Sequence, residues 1–246
     1  MPKTLILIPS RMAASRLPGK PLLKIDGITI ISRVYKKAKE TNLGDVFVAT
    51  EDQEIFDEVV KQGGKSVLTS KNHKTGTDRI FEAYEKINLQ NIDYILNLQG
   101  DEPAIDVNDI RNLNNIIVKN QSDIGTLACE IKDKSYFNNE DVVKVQTKDI
   151  LEEKKISKAV NFFRQSLNSK DKNIYHHIGI YLYKVPVLKK IISLNQTEDE
   201  IKNRLEQLRA MNNNISIDVV LSKNSPIGID SMEDYKKVKN LLETKN

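Results

Sequence analysis

Apolar runs alternate with amphipathic segments along the first half of the chain. The continuous apolar run Thr4–Ile8 ends at Pro9, as is typical of a strand buried in a parallel sheet. Residues Ile30–Ala38 carry apolar side chains at helical spacing. The alternation continues with predicted strands at 46–49, 65–68 and 94–98 and predicted helices at 55–60, 77–87 and 107–118. It predicts an α/β fold with a doubly wound, mostly parallel sheet and right-handed crossovers.

The pattern changes after residue 124, where strand-like runs become more frequent than helical ones. Strands are predicted at 124–131, 142–147, 178–183 and 215–220, with a polar stretch at 165–173 and a helix at 198–211. The last periodic segment, 232–242, predicts a closing helix that returns to the first sheet. We therefore expect one domain, residues 1–246, with a strand-rich insertion at roughly 130–210.

A basic loop follows the first predicted strand, with the sequence RMAASRLPGKP at residues 11–21. Arg11, Arg16 and Lys20 beside Gly19 suit a triphosphate, and a solvated basic loop is the alternative interpretation. The loop is not a Walker A motif, because Pro21 replaces the required Ser or Thr and no glycine lies five residues before Gly19. A GxGxxG fingerprint is also absent, which argues against dinucleotide enzymes.

Carboxylates follow the strand predicted at 94–98, in the sequence LQGDEP. Ligands of open α/β sheets bind at the carboxyl ends of the strands, so Asp101 and Glu102 are placed to hold a hard cation beside phosphates. Acidic residues before a proline are also common in turns. Asp230 raises a similar choice, because it precedes the closing helix and can either bind metal or cap that helix.

Two further segments carry candidate side chains. In KTGTDR, residues 74–79, Arg79 falls in the first turn of a predicted helix with Thr77 or Asp78 near its cap. In HHIGIYLY, residues 176–183, His177 and Tyr181 share one face of a predicted strand with Gly179 and Tyr183. A purely structural role for these residues is the alternative, and no metal-ligand cluster surrounds the histidine in the sequence.

The overall charge balance narrows the class of partner. The 246 residues include 38 Lys and Arg against 34 Asp and Glu, a net charge of +4 without aromatic and basic interleaving. This composition argues against a nucleic-acid surface and fits a basic pocket for a small polyanion. The single cysteine, Cys129, excludes an intrachain disulfide, and the apolar run at the N-terminus is too short for a signal peptide or a membrane span. We expect a cytoplasmic enzyme.

The ordered segments RMAASRLPGKPL, TGTDR, LQGDEP, HIGIYLY, LEQLR and GID followed by MEDY resemble the 3-deoxy-manno-octulosonate cytidylyltransferase (CMP-KDO synthetase) family over nearly the whole chain. The resemblance implies a Rossmann-like nucleotidyltransferase core with an insertion that contributes to the sugar site and forms a homodimer. It also implies transfer of CMP from CTP to the anomeric hydroxyl of KDO, with Mg²⁺ as cofactor. Pyrophosphate is released, and the activated sugar serves lipopolysaccharide biosynthesis.

Specific roles follow from the same resemblance. It assigns the CTP phosphates to Arg11, Arg16 and Lys20, catalysis to Lys20, Arg16 and Asp101, and magnesium to Asp101 and Asp230. Contacts with the sugar acid are assigned to Arg79, Gln99, His177, Tyr181, Glu206 and Gln207.

One stretch departs from the family pattern. Many relatives have Ser-Arg followed by Ile-Pro-Trp or Ile-Pro-Tyr where this chain has SKAVNFFR, residues 157–164. Lys158 lacks the planar fork with which arginine binds a carboxylate, so an amino-substituted KDO or another ulosonic or sialic acid stays open as the acceptor. A GT-A glycosyltransferase is disfavoured by the cations of the basic loop. A noncatalytic nucleotide-binding protein is disfavoured by the intact Lys20, Asp101 and Asp230.

Overall fold

The computed structural model describes residues 2–13, 16–165 and 172–244. The chain divides into two compact units, one of residues 1–110 and 226–246 and the other of residues 111–225. The assignment of one domain with an insertion at roughly 130–210 stays a prediction, as do the sugar-binding and dimer-forming roles of that insertion. In the described part of the chain, no helix combines the length and the apolar character needed to cross a membrane.

The first unit alternates strands and helices. Its elements, up to the helix that contains the boundary between the units, are β1 (Thr4–Ser10), β2 (Lys24–Ile25), β3 (Ile28–Thr29), α1 (Ile30–Glu40), β4 (Val46–Thr50), α2 (Gln53–Lys61), β5 (Ser66–Leu68), α3 (Gly76–Ile87), β6 (Tyr94–Asn97) and α4 (Val107–Asn120). Strands β5, β4, β1 and β6 lie side by side in that order, and all are parallel. The predicted α/β fold with parallel strands is therefore confirmed.

Strand β1 explains why the apolar run at the start of the chain is continuous. Its four residues from Leu5 to Ile8 are completely buried. Both faces of a parallel strand are covered in folds of this class, so both must be apolar. Strand β1 also marks the place where the strand order reverses, because its neighbours are β4 on one side and β6 on the other. A crevice for ligands opens at such a reversal, outside the carboxyl ends of the two central strands.

The second unit is richer in strands. It contains β7 (Ile124–Cys129), β8 (Lys144–Thr147), β9 (Ile156–Phe163), β10 (Ile174–Lys184), α5 (Val185–Ser193), α6 (Glu198–Asn203), α7 (Leu208–Asn212) and β11 (Ile217–Leu221). Its strands follow the order β10, β7, β11, β9, β8, and β8 also pairs with β10, so the ladder closes on itself. Only the β7–β11 pair is parallel, while the other pairings are antiparallel.

Several predictions for this unit were wrong in detail. The single helix predicted at 198–211 is two short helices, because Arg204 adopts a left-handed conformation with φ of 53° and ends α6. Buried Leu205 and Leu208 had continued the apolar spacing across that break. Strand β9 and helix α5 were not predicted. Of the polar stretch predicted at 165–173, residues 166–171 lie outside the described residues.

The last helix, α8 (Met232–Glu243), belongs to the first unit, as predicted. Its Val238 packs in a buried cluster with Ile229, Ile25, Ile30 and Leu17. Leu17 is part of the basic loop that follows β1. Through this cluster, the basic loop packs against the residues before α8 and against α8 itself.

Candidate active site

The first unit contains a pocket of about 320 Å³ at the carboxyl ends of β1 and β6. All of the site residues that the sequence predicts in this unit except Glu102 line it, namely Arg11, Arg16, Lys20, Arg79, Gln99, Asp101 and Asp230. Segments far apart in sequence thus meet at the edge where the strand order reverses. The pocket is rich in cations, as a site for a polyanion must be.

Lys20 occupies the centre of the charged groups in this pocket. Its Nζ donates hydrogen bonds to Asp101 Oδ2 at 2.6 Å, to Asp230 Oδ1 at 3.0 Å and to the carbonyl oxygen of Ile229 at 2.8 Å. Burial opposes the charge of the ammonium, but the charges and hydrogen bonds of the two aspartates outweigh it and raise the pKa of Lys20. The side chain therefore stays cationic over the whole physiological range.

The chain after β1 folds back to deliver this lysine. Gly19 has φ of 73°, a left-handed conformation that costs glycine nothing, and its N–H donates to the carbonyl oxygen of Met12 at 3.0 Å. Met12 N–H in turn donates to Asp52 Oδ2 at 2.7 Å. Residues 14 and 15 of the predicted basic loop lie outside the described residues.

Asp230 is not the cap of the closing helix. Ser231 is the cap: its Oγ accepts from Asp234 N–H at 3.1 Å, and Asp234 Oδ2 accepts from Ser231 N–H at 2.9 Å. This capping box satisfies the helix terminus without Asp230. The carboxylate of Asp230 instead contacts Lys20 and, through Oδ2, Arg16 Nη2 at 2.9 Å.

Asp101 and Glu102 form a turn, and Asp101 also lines the pocket. The carbonyl of Asp101 accepts from Ile229 N–H at 2.9 Å, which joins the end of β6 to the segment before α8. Glu102 Oε2 is buried and has no hydrogen-bond partner among the described residues. Burial, reinforced by the charges of Asp101 and Asp230, raises the pKa of Glu102 to about 8. Glu102 therefore favours its neutral form at pH 7, and the carboxyl groups of Asp101 and Asp230 line this end of the pocket.

The arrangement of Asp101 and Asp230 fits magnesium held together with a substrate. One oxygen of each carboxylate lies within 3.0 Å of the same cation, Lys20 Nζ, so the two groups converge on one small volume. Mg²⁺ commonly takes one or two carboxylates from the protein and completes its shell with phosphates and water. Within the described ranges no group of three or more acidic, histidine or cysteine side chains forms a self-sufficient metal cage.

Helix α3 begins earlier than the sequence predicted. Its cap is Thr75, rather than Thr77 or Asp78, and Asp78 completes a capping box with the Thr75 backbone and side chain. Arg79 is buried, and its guanidinium donates to Glu51 and to Thr69 Oγ1 at 2.7 Å. The charge of Arg79 is thus partly compensated inside the protein.

Two features of the pocket wall were missed by the sequence analysis. His73 lines the pocket, and its Nε2 forms a hydrogen bond with Glu82 on α3. Ser10 at the end of β1 also lines it, and its buried Oγ has no hydrogen-bond partner among the described residues. The only sequence feature that could have indicated a role for His73 is its position directly before the KTGTDR segment.

The remaining predicted residues lie in the second unit. The rings of His177, Tyr181 and Tyr183 form a row on β10, with centroid separations of 5.5 and 5.7 Å, as the predicted shared face requires. His177 is buried against Phe162, its Nε2 lies 2.9 Å from Thr126 Oγ1, and burial is the main cause that lowers its pKa to about 3.

The hydroxyl of Tyr181 is buried without a hydrogen-bond partner in the described part of the chain. Burial, with the charges of Tyr183 and Glu206, raises its pKa well above the usual value. Glu206 and Gln207 lie between α6 and α7, and Gln207 is the residue that caps α7. The structure therefore places Tyr181 in the electrostatic range of Glu206, although the two residues are far apart in sequence.

Comparison with known proteins connects these features to a family. Residues 5–217 match the family profile described as Cytidylyltransferase. The chain is 40% identical over 240 residues to the 3-deoxy-manno-octulosonate cytidylyltransferase of Afipia carboxidovorans, covering 97% of this chain and 96% of that protein.

One solved structure supports the same family, and a second shares the fold alone. A CMP:2-keto-3-deoxy-manno-octonic acid synthetase complexed with CTP superposes with a TM-score of 0.89 at 33% identity, over 99% of this chain and 100% of the other. An apo UDP-glucose pyrophosphorylase shares the fold with a TM-score of 0.70 at 14% identity, over 100% and 99% of the two chains.

Proposed function

The chain belongs to the cytidylyltransferase family, and we propose that it transfers CMP from CTP to the anomeric hydroxyl of 3-deoxy-manno-octulosonate (KDO). The observation that carries this proposal is the convergence of Lys20, Asp101 and Asp230 at one end of a cation-rich pocket. CMP-KDO and pyrophosphate are the products, and CMP-KDO supplies an activated sugar for lipopolysaccharide biosynthesis.

In the reaction the anomeric oxygen of the sugar forms a bond to the α-phosphorus of CTP. The bond from that phosphorus to the bridging oxygen breaks, and pyrophosphate leaves with the electron pair. The hydroxyl proton is lost to the medium. Catalysis of such a transfer depends on aligning the two oxygens and stabilising the charge that spreads over the phosphates. Groups that hold fixed positive charge in the pocket perform both tasks.

Lys20 is the best-positioned of these groups. Its Nζ is held by three oxygen atoms and is largely buried, so it presents a fixed charge that needs little reorganisation. Arg16 and Arg11 lie on the more exposed side of the same loop and suit the outer phosphates. We assign the CTP phosphates to these three cations.

We assign magnesium to Asp101 and Asp230. Bound magnesium lowers the pKa of a coordinated hydroxyl and neutralises charge on the phosphates. The two aspartates supply the hard oxygen ligands, and they converge without any other described side chain between them and Lys20. A dedicated side-chain base is then not required.

Following the family resemblance, we assign the sugar acid to Arg79, Gln99, His177, Tyr181, Glu206 and Gln207. The buried, unpartnered hydroxyl of Tyr181 supports this assignment, because a buried donor without a partner is costly unless a ligand satisfies it. Lys158 on β9 is exposed in the position where relatives have arginine. An amino-substituted KDO is therefore included among the acceptors to be tested.

Pyrophosphate release with a panel of acceptors tests the proposal. CTP or UTP is combined with Mg²⁺ and with KDO, an amino-substituted KDO, another ulosonic acid or a sialic acid. Release is expected with CTP and KDO, and release with none of the acceptors would refute the function. Faster turnover of the amino sugar than of KDO would reassign the acceptor.

Asp101→Asn tests the metal site in the same assay, with Asp57→Asn on the exposed surface of α2 as the matched control. Turnover should fall on the order of 100-fold or more in the first variant, because one electrostatic stabiliser of the transition state is lost. The control should retain full activity. Equal activity in the two variants would remove Asp101 from the metal site.

We also infer a cytoplasmic homodimer. The single cysteine and the cytosolic nucleotide substrate support the location, and the family resemblance supports the dimer. Light scattering on the purified chain distinguishes a dimer from a monomer.

A further inference from the structure

The pair of His73 and Glu82 is the most fully built feature of the pocket that has no role yet. His73 lies on the loop before α3 and lines the pocket, while its side chain is only 19% exposed. Its Nε2 contacts Glu82 Oε2, and its Nδ1 has no hydrogen-bond partner among the described residues. One edge of the ring is thus fixed by the protein, and the other is left for a ligand.

Glu82 is itself held firmly. Its Oε2 accepts from Ser70 N–H at 2.9 Å, and its Oε1 lies 2.7 Å from Lys86 Nζ, one turn further along α3. Burial opposes ionisation, but the hydrogen bonds from Lys86, Ser70 and His73 outweigh it and lower the pKa of Glu82 to about 2. Glu82 is therefore a carboxylate at neutral pH and can only accept hydrogen bonds.

This carboxylate determines the tautomer of the imidazole. Since Glu82 only accepts, His73 Nε2 must donate the proton between them. In the neutral ring Nδ1 then carries a lone pair and is an acceptor. The same logic governs carboxylate and histidine pairs in metal sites and catalytic triads, where the second residue orients the first.

An acceptor of this kind distinguishes the two pyrimidine nucleotides. Cytosine presents an amino group at its fourth position, which donates hydrogen bonds, whereas uracil has a carbonyl oxygen there, which only accepts. We infer that His73 Nδ1 accepts a hydrogen bond from the cytosine amino group and that Glu82 positions it to do so. This inference rests on the proposed use of CTP.

The position of His73 in the pocket agrees with this assignment. The charged groups suited to phosphates and metal are Lys20, Arg16, Asp101 and Asp230, which bond to one another. His73 bonds to none of them, and it belongs to the loop that carries Lys74 and leads into α3. The ribose and the base are the parts of CTP that remain once the phosphates are assigned to the basic loop, and of these two only the base differs between CTP and UTP.

Glu82→Gln provides a sharp test, because the environment of residue 82 fixes how the amide sits. Lys86 Nζ lies 2.7 Å and Ser70 N–H 3.2 Å from the Oε1 position, so an amide oxygen placed there accepts from both and the nitrogen faces His73. The amide then donates to Nε2, and the ring proton moves to Nδ1. An acceptor for cytosine becomes a donor that suits uracil.

The expected result is a fall of about 10-fold in the ratio of kcat/KM for CTP to that for UTP, the effect of one hydrogen bond. Glu85→Gln is the matched control, because Glu85 is exposed on the same helix and bonds to no pocket residue. It should leave the ratio unchanged. Calorimetric binding of CTP and UTP gives the same comparison without turnover.

A double-mutant cycle tests whether Glu82 acts by positioning His73 or only stabilises the fold. His73→Ala should lower the same ratio, and Glu82→Gln should have no further effect on it once His73 is absent. Conservative Glu82→Asp, if it reaches His73, should restore part of the preference for CTP.

Three outcomes would overturn the inference. The first is an unchanged ratio of kcat/KM for CTP to that for UTP in both His73→Ala and Glu82→Gln. The second is additive effects of the two substitutions on that ratio. The third is an increase confined to the KM of the sugar, which would place His73 at the sugar-binding site. If the wild-type protein releases no pyrophosphate from CTP with any acceptor, the proposed function fails, whereas CTP-dependent turnover with an unchanged ratio rejects this inference alone.

Discussion

Arg209→Met removes one partner of the ion pair that joins α6 to α7. Arg209 Nε donates to Glu200 Oε2 at 2.9 Å and Nη2 donates to Glu200 Oε1 at 2.6 Å, so the contact is bidentate. Both side chains are only 3% exposed. Methionine fills much of the space of the arginine stem but leaves the carboxylate buried without its cation.

The cost follows from this burial. Removing one partner of a buried pair typically destabilises a protein by about 3–5 kcal/mol, since the remaining charge is uncompensated. Glu200 keeps the hydrogen bonds from Thr197 N–H at 3.3 Å and from Gln196 Nε2 at 3.1 Å, which places the expectation near the lower end, about 3 kcal/mol.

The pH dependence gives a second signature. Burial opposes ionisation of Glu200, but Arg209, Gln196 and the Thr197 backbone outweigh it and lower its pKa. A lowered pKa contributes stability that is present above the unfolded value, about 4.5, and is lost as the pH falls. In the variant this contribution is absent, so the loss in stability should stay constant from pH 7 to about pH 5 and should shrink as the pH falls below about 4.5.

Urea unfolding of both proteins at several pH values measures this difference. Lys155→Met is the control, because Lys155 pairs with Glu152 at 2.6 Å on the exposed surface, where solvent screens the charges. A loss no larger than that of the control, or one that grows as the pH falls, would refute the reasoning. Glu206 and Gln207, which we propose contact the sugar, lie between the two helices, so we expect the KM for the sugar to rise more than the KM for CTP.

Three other substitutions have outcomes of defined sign. Burial is the main cause that lowers the pKa of His177 to about 3, so the unfolded chain binds a proton below pH 6.5 that the folded protein does not. The free energy of unfolding should therefore decrease as the pH falls below 6.5, by up to about 1.4 kcal/mol per pH unit. Urea unfolding of His177→Gln at several pH values should show a smaller decrease. Gly44→Ala would place a Cβ 1.9 Å from the carbonyl oxygen of Thr4, so it should lower Tm by several degrees, whereas Gly76→Ala, whose nearest neighbour would be at 3.5 Å, should not. Ser10→Ala removes a buried hydroxyl without a partner in the described ranges, so it should raise stability by about 1 kcal/mol, and a lower Tm would contradict this.

The sequence predicted the first unit well because its strands are buried on both faces. The run of residues from Leu5 to Ile8 could not be mistaken for an amphipathic element, and every residue in it is indeed buried. The second unit was harder, because short elements carry little periodicity. Residues 198–211 kept helical spacing across Arg204, whose left-handed conformation no apolar pattern reports.

The sequence predicted only those pocket residues that lie at strand ends or in recognisable motifs. Basic and acidic segments after β1 and β6 must meet where the strand order reverses, which placed Lys20 near Asp101. The contact of His73 with Glu82 joins a loop to the second turn of a helix, and it depends on the path of residues 70–75. Loop paths of this kind are set by tertiary contacts and leave no periodic signal.

The hydrogen bonds between Lys20 and residues 229 and 230 have a consequence for the synthesis of the protein. The ribosome synthesises the lysine 209 and 210 residues before these two acceptors. The second unit is complete as far as residue 225 before the first unit can close its cluster around Val238. A nascent chain that has not yet released α8 therefore lacks the assembled site, and activity begins only once residues 229 to 238 have joined the first unit.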